Sequence, residues 1–173
     1  GQTAAQVSGR LNTFDAGRRL DDDFPVLARL KNGGIATIGA SQVTIGALND
    51  NGFRVVGTKG TLQWNMTDHL CLYADISGNA RQVYRLGGDA LPESITGPGY
   101  VRLPGGHPEG FHEALANLHR TLQLLLLRAA DSGLPIPFRH PNVVDGAAGM
   151  AFIEASVASS AAGGAWTDLA QVD

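Results

Sequence analysis

The first half of this chain is a series of short apolar segments separated by glycine-rich turns, and this restricts how the segments can pair. Residues 32–34 (Asn-Gly-Gly) follow the strand-like residues 24–31, and residues 57–60 (Gly-Thr-Lys-Gly) follow residues 53–56. Glycine and asparagine tolerate the positive φ angles of tight hairpin turns. Strands joined by such short turns are antiparallel neighbours, because a parallel pair needs a crossover of a dozen or more residues.

The second half has the pattern of two helices. Apolar residues recur at helical spacing from Phe111 to Leu126, and Gly133 predicts the end of this helix. A second helix, rich in small residues that allow close packing on a sheet, is predicted to begin near Asn142 and to end at Gly163. The fold class expected from both halves is α+β, an open and mainly antiparallel sheet with helices packed on one face.

The predicted strands carry apolar side chains on both faces. In residues 70–76, Leu70, Leu72 and Ile76 alternate with Cys71 and Tyr73. A sheet with one face in water shows a cleaner alternation of apolar and polar residues. We therefore expect the second face of the sheet to contact another subunit or domain.

Composition narrows the class of protein. The chain has 173 residues, of which 43% are hydrophobic and 17% charged, which predicts one globular domain spanning residues 1–173. The net charge of -3 without a basic cluster predicts no nucleic-acid partner. The longest apolar stretch, residues 122–130, is too short to span a bilayer, and no leader sequence opens the chain, so no membrane partner is expected. The lone Cys71 favours a reducing, cytoplasmic location.

Motifs for cofactor and metal binding are incomplete. The turn at residues 97–99 (Gly-Pro-Gly) comes closest to a dinucleotide-binding loop, but Arg102 replaces the third glycine and the flanks are loop. His112-Glu113 begins like a zinc-protease helix, but Ala116 occupies the position of the second histidine. We predict no catalytic, metal-binding or cofactor-binding residue in this chain.

Three residues are candidates for binding a polar ligand. His107 ends the long loop 87–107 just before a helix; it would hydrogen-bond a ligand hydroxyl or, alternatively, close a turn. Arg10 and Asn12 share one strand face, which suits hydroxyl recognition or is simply a polar face. We interpret the remaining polar and aromatic landmarks as structural: a solvated turn at residues 21–23, packed or solvated His112 and His119, and packing aromatics at Trp64 and Trp166.

The order of these landmarks resembles a known family. The acidic turn at residues 21–22, the glycine turn at 33–34, the hairpin at 57–62, the entry at 107–111 (His-Pro-Glu-Gly-Phe) and the helix from Asp145 are similar to the C-terminal domain of the Gfo/Idh/MocA oxidoreductases over residues 4–169. That family oxidises or reduces sugars, inositols and related polyols with a nicotinamide cofactor.

The resemblance implies a division of labour within a longer protein. In the family, the sheet of this domain builds the oligomer interface and walls the substrate pocket, while a preceding Rossmann domain binds NAD or NADP. That Rossmann domain and the catalytic residues are missing from this sequence, so we expect no cofactor in this chain and no activity of the isolated chain. Only His107 transfers as a substrate contact.

Two other interpretations remain open. The chain would also suit a stand-alone, non-catalytic dimeric binding or scaffold protein, or an unrelated α+β domain with a ligand under the 87–107 loop. The coding sequence upstream of Gly1 and the intact mass of the native gene product distinguish a fragment of an enzyme from a stand-alone protein.

Overall fold

The computed structural model describes residues 3–88, 91, 100–131, 133 and 140–172. The turn at residues 97–99, which was compared with a dinucleotide-binding loop, lies outside these residues. So do residues 89–90 and 92–96 of the 87–107 loop. The chain divides into two compact units, residues 1–46 with 141–173 and residues 47–140. The elements are β1 Ala4–Gly9, β2 Asp23–Leu30, β3 Ile35–Ser41, β4 Gly52–Gly57, β5 Gly60–Asn65, a 3₁₀ turn Met66–Asp68, β6 Cys71–Ile76, β7 Gln82–Arg85, α1 Phe111–Ala130, α2 Val143–Ala161 and β8 Thr167–Asp168.

The first unit is a four-stranded antiparallel sheet with α2 packed on it. The strand order is β3-β2-β1-β8. Its core brings Val7, Val26 and Ala28 from the sheet against Ala155 from α2, and Phe152 meets Phe24 edge-on at 6.2 Å between ring centres. Because the buried positions of α2 are alanine and serine, the helix backbone approaches the sheet closely, as the sequence predicted.

Hydrogen bonds fix α2 to the end of β1. The Ser159 hydroxyl, fully buried, accepts from the Gly9 N–H at 3.0 Å and donates to the Ala165 carbonyl at 2.6 Å. At the start of α2, the Asn142 side-chain oxygen accepts from the Val144 N–H at 2.8 Å, a helix cap that confirms the predicted beginning.

The second unit is a four-stranded antiparallel meander, β4-β5-β6-β7, followed by α1. Gly57 pairs with Gly60 across the β4–β5 hairpin, so Thr58 and Lys59 form the predicted two-residue turn. Gly60 permits a close approach of backbones, because a Cβ at this position would clash with the Asp75 carbonyl oxygen.

The α+β class with antiparallel strands and helices is confirmed, and the structure refines it. The strands form two four-stranded sheets, whereas the sequence predicted one open sheet. Arg10 and Asn12, which were expected to share a strand face, lie beyond β1, because this strand ends at Gly9 and the chain then enters a loop held by Asp22. Asp22 differs from the solvated turn residue that we expected: it is buried and accepts from the N–H groups of Phe14 and Asp15, both at 2.9 Å.

Within the described residues, neither helix combines the length and the apolar character needed to cross a bilayer.

Candidate functional site

A cavity of about 820 Å³ lies within the second unit, where the first turns of α1 face the ends of the sheet strands. This volume is typical of small-molecule sites, which combine apolar walls with a few polar groups. The lining residues are Asn51, Trp64, Met66, His69, Leu86, Tyr100, Pro108, Glu109, Gly110, Phe111, His112, Glu113, Ala114, Asn117 and Leu118.

Aromatic rings form part of the wall. The Trp64 indole is fixed by stacking on Phe53, with 5.9 Å between ring centres, and by donating its Nε1–H to the His69 carbonyl at 2.9 Å. Phe111, at the first position of α1, is 67% exposed and meets the His112 ring edge-on. Exposed aromatic faces in a cavity give a ligand apolar contact area.

Glu109 holds the segment that leads into α1. It is only 6% exposed, and its two carboxylate oxygens accept from the N–H groups of Arg102 at 2.7 Å and Leu103 at 3.0 Å. A buried carboxylate is tolerated when both oxygens are hydrogen-bonded in this way. The sequence does not indicate this role of Glu109, because its partners lie in a loop whose path is not evident from the residues.

Glu113 closes the first turn of α1. One of its oxygens accepts from the Gly110 N–H at 2.8 Å. This backbone hydrogen bond, supported by the charges of His112 and Arg102, holds the pKa of the Glu113 carboxyl below its ordinary value. Glu113 is therefore a carboxylate at neutral pH.

A second set of contacts ties the same loop to α1. The Arg102 Nε–H donates to the Asn117 side-chain oxygen at 2.7 Å, and the Asn117 amide donates to the Tyr100 carbonyl at 3.4 Å. These bonds place the residues before Pro104 against the helix that lines the cavity.

Three polar side chains of the lining are available to a ligand. Within the described part of the chain, the imidazoles of His69 and His112 and the amide of Asn51 make no hydrogen bond. The His69 ring lies against Gly110, where a Cβ would be 3.1 Å from its Nε2 atom. Glycine at the start of α1 therefore brings this ring close to the helix.

His107 closes a turn, which was the structural alternative for this residue. Its Nδ1 atom lies 3.0 Å from the Pro104 carbonyl oxygen, to which its backbone N–H also donates at 3.2 Å. It is exposed and is not among the lining residues of the cavity, whereas the next residue, Pro108, is. A contact between His107 and substrate stays a prediction.

Arg10 and Asn12 belong to the first unit, whereas all lining residues of the cavity belong to the second. The Asn12 amide donates to the Asp23 carboxylate at 2.9 Å, and the Asn12 N–H donates to the Asp23 carbonyl at 2.9 Å. Arg10 has an exposed side chain, and its N–H donates to the Pro25 carbonyl at 3.1 Å. Their substrate-binding role also stays a prediction.

Sequence reasoning missed Trp64, His69 and Phe111 as residues of one cavity. The sequence favours a packing role for Trp64, and no motif surrounds His69. The available signal was Phe111-His112 directly after Pro-Glu-Gly, since the side chains of a helix tilt toward its N-terminus and thus toward the loop before it.

Two described glycine turns, at residues 33–34 and 57–60, lack the surroundings of a nicotinamide dinucleotide site. The pyrophosphate of the dinucleotide needs a glycine-rich turn between a strand and the N-terminus of a helix. The glycine turns at residues 33–34 and 57–60 each join two antiparallel strands. No group of three or more His, Cys, Asp or Glu side chains among the described residues is arranged to hold a metal ion.

The chain has an α+β fold and a cavity of small-molecule size, and comparison with known proteins shows similarity to oxidoreductases. The family described as GFO/IDH/MocA C-terminal domain matches residues 1–63. An oxidoreductase from Sinorhizobium meliloti is 31% identical, with a TM-score of 0.86 over 97% of this chain and 47% of that protein. An inositol dehydrogenase homolog from Azotobacter vinelandii, solved with NADH and myo-inositol, is 25% identical, with a TM-score of 0.88 over 96% of this chain and 44% of that protein.

Among curated proteins, the uncharacterized oxidoreductase YfiI of Bacillus subtilis is 25% identical over 151 residues, which are 86% of this chain and 38% of that protein. The resemblance noted in the sequence is therefore confirmed: the Gfo/Idh/MocA C-terminal domain family matches residues 1–63, and the chain is similar in sequence and fold to oxidoreductases of this type. It spans less than half the length of these relatives.

Proposed function

We propose that this chain is the C-terminal substrate-binding and oligomerisation domain of an NAD(P)-dependent oxidoreductase that acts on a sugar, an inositol or a related polyol. Residues 1–173 act as one functional domain in a cytoplasmic enzyme. A Rossmann domain outside this sequence supplies NAD or NADP and the catalytic residues, so the isolated chain binds substrate without turning it over.

The observation that carries this proposal is the composition of the cavity. The faces of Trp64 and Phe111 suit the C–H faces of a sugar or cyclitol ring, which are apolar. The imidazoles of His69 and His112 and the Asn51 amide suit the hydroxyl groups at its rim, because each of these side chains both donates and accepts hydrogen bonds. The complex of the Azotobacter vinelandii relative with myo-inositol supports the same class of ligand.

Two kinds of side chain contribute differently in this proposal. Residues of the cavity contact the ring directly, whereas His107, Arg10 and Asn12 are weaker candidates that the resemblance and the strand pattern suggest. Replacing His107 by alanine distinguishes a contact with substrate from a role that is limited to the turn at Pro104. If it only closes the turn at Pro104, the affinity for polyol is unchanged.

Trp64 provides a direct test of ligand binding. The chain has two tryptophans, and Trp166 is outside the cavity, so a Trp166→Phe protein reports on Trp64 alone. We expect saturable fluorescence changes on titration with myo-inositol or glucose, and their loss in a variant that also carries His69→Ala. Absence of a response to both polyols contradicts a substrate-binding role.

The Trp166→Phe protein also tests whether the nicotinamide cofactor is bound by another domain. We expect no binding of NADH, measured by energy transfer from tryptophan to the nicotinamide. Measurable NADH affinity of the isolated chain contradicts the assignment of the cofactor to another domain.

The alternative, a stand-alone dimeric binding or scaffold protein, is favoured by one observation: the apolar side chains of Phe53, Val55 and Leu62 are exposed on the second sheet. The intact mass of the native gene product separates the alternatives. A mass near the 18.1 kDa of this chain favours the stand-alone protein, and a mass about twice as large favours the enzyme.

A further inference from the structure

We infer that the cavity in the second unit selects uncharged polyols and rejects their carboxylated and phosphorylated counterparts. The inference rests on the proposed function and adds a charge requirement to it. It depends on two carboxylates at the N-terminal end of α1, Glu109 and Glu113, which line the cavity and are fixed by hydrogen bonds.

Both carboxylates line the cavity and are held in place. Glu109 accepts from the N–H groups of Arg102 and Leu103, and Glu113 accepts from the N–H of Gly110. Because these bonds fix the side chains, the two charges do not turn away when a ligand enters. Glu109 is 6% exposed, so salt screens its charge less than that of a surface carboxylate.

The hydrogen-bond partners of the two carboxylates are backbone N–H groups and not cationic side chains. The Arg102 guanidinium donates instead to the Asn117 side-chain oxygen at 2.7 Å.

The start of α1 would ordinarily attract an anion, because the positive end of the helix dipole and free N–H groups point there. Here Glu113 occupies the Gly110 N–H, and the Glu109 carboxylate sits one residue before it. The protein's own carboxylates therefore take the place that a carboxylate or phosphate of a ligand would seek.

Glucose and glucuronate form a matched pair of probes, since they differ in replacing the C6 hydroxymethyl by a carboxylate. Binding is measured through Trp64 fluorescence in the Trp166→Phe chain at about pH 8. We expect glucuronate to bind at least about tenfold more weakly than glucose at low salt. Its carboxylate would lie in the same cavity as the carboxylates of Glu109 and Glu113, and like charges repel more strongly there than in bulk water. The difference narrows at about 0.5 M salt through screening.

Glu113→Gln tests the origin of the selectivity. Glutamine retains an oxygen that accepts from the Gly110 N–H, so the helix start is preserved while the charge is removed. We expect the glucose-to-glucuronate affinity ratio to fall several-fold in this variant. Glu154→Gln, an exposed carboxylate on α2, is the matched control and leaves the ratio unchanged.

The outcomes separate this inference from the proposed function. Equal affinity for the two probes, or an unchanged ratio in Glu113→Gln, overturns the inference while binding of glucose still supports a polyol site. Failure of both probes to bind overturns both.

Discussion

Single buried carboxylates hold the long loops of this domain. The Asp22 carboxylate accepts hydrogen bonds from the N–H groups of Phe14 and Asp15. The Glu109 carboxylate accepts them from the N–H groups of Arg102 and Leu103. In both cases one side chain replaces the hydrogen bonds that a loop cannot make with itself. The first anchor shapes the loop after β1, and the second shapes the entrance of the candidate site.

Replacing Asp22 by asparagine tests whether the carboxylate charge stabilises the loop, because the stability that this charge contributes depends on pH. The N–H groups of Phe14 and Asp15 hold the pKa of the Asp22 carboxyl below its ordinary value. A carboxyl whose pKa is lowered in the folded state stabilises that state at neutral pH, and this contribution is lost as the pH falls through the folded-state pKa. Urea unfolding should therefore show that Asp22→Asn is less stable than the unsubstituted chain at pH 7, with a difference that shrinks as the pH falls below the ordinary aspartate pKa of about 3.9.

The neighbouring Asp21 provides the control for this measurement. It is exposed, so Asp21→Asn should leave the free energy of unfolding nearly unchanged at neutral and at acidic pH. A destabilisation by Asp22→Asn that is equally large at neutral and at acidic pH would show that shape rather than charge decides its effect.

At the scale of elements, local signals were sufficient for hairpins and helix ends. The turn at residues 32–34, the turn at 57–60 and the Asn142 cap depend on residues adjacent in sequence, and all three are observed. The two-residue β8 escaped prediction, because it exists through pairing with β1, some 160 residues away. The division into two sheets was also missed, since strand order is decided by contacts that no local pattern contains.

Alanine substitutions at the two glycines of the β4–β5 hairpin should differ in their effect on the free energy of unfolding. A Cβ at Gly60 would meet the Asp75 carbonyl oxygen, whereas a Cβ at Gly57 would meet its nearest atom, the Gly60 carbonyl oxygen, at an ordinary contact distance of 3.8 Å. Gly60→Ala forces the backbones of β5 and β6 apart and should lower the free energy of unfolding by about 1–3 kcal/mol in urea titrations. Gly57→Ala should have a much smaller effect, and equal destabilisation by the two variants would contradict the close approach at Gly60.

The small residues of α2 make a matching prediction for the first unit. Ala155 is buried against Val7 and Val26, whereas Ala158, on the same helix, is exposed. Ala155→Leu overpacks this contact and should destabilise the protein by about 1–3 kcal/mol, measured by urea unfolding. Ala158→Leu adds the same atoms to the surface and should change the stability little, so a similar cost for both would show that helix propensity and not packing is responsible.

At the scale of the whole molecule, the class of fold and the resemblance to a family followed from the sequence, but the candidate site did not. The order of weak motifs along 173 residues was enough for the first two. The cavity depends on where Trp64 and His69 lie relative to Phe111, which are more than 40 residues apart in sequence. The residues proposed from sequence, His107, Arg10 and Asn12, were chosen by their neighbours along the chain, and such neighbours do not define a cavity.

The exposed sheet surface gives a prediction about assembly. Val55 pairs with Leu62, and Phe53 pairs with Trp64, so all four side chains share one face of the second sheet by the two-residue period of strands. Val55 is 57% exposed there, and the adjacent Val56, 73% exposed, points to the opposite face beside Thr61 and Arg54. Contiguous exposed apolar groups favour association, whereas an isolated one does not. We therefore expect the chain to form a dimer or tetramer through the Val55 face.

Light scattering after size-exclusion chromatography measures this assembly, and two variants on one strand locate it. Val55→Glu places a charge within the apolar face and should shift the protein to a monomer, because a buried unpaired carboxylate opposes association. Val56→Glu adds the same charge to the same strand on the other face and should leave the oligomer intact. If Val56→Glu alone dissociates the protein, the interface lies on the opposite face of the sheet, and if the unsubstituted chain is a monomer at all concentrations, the sheet requires a different partner to cover its apolar residues.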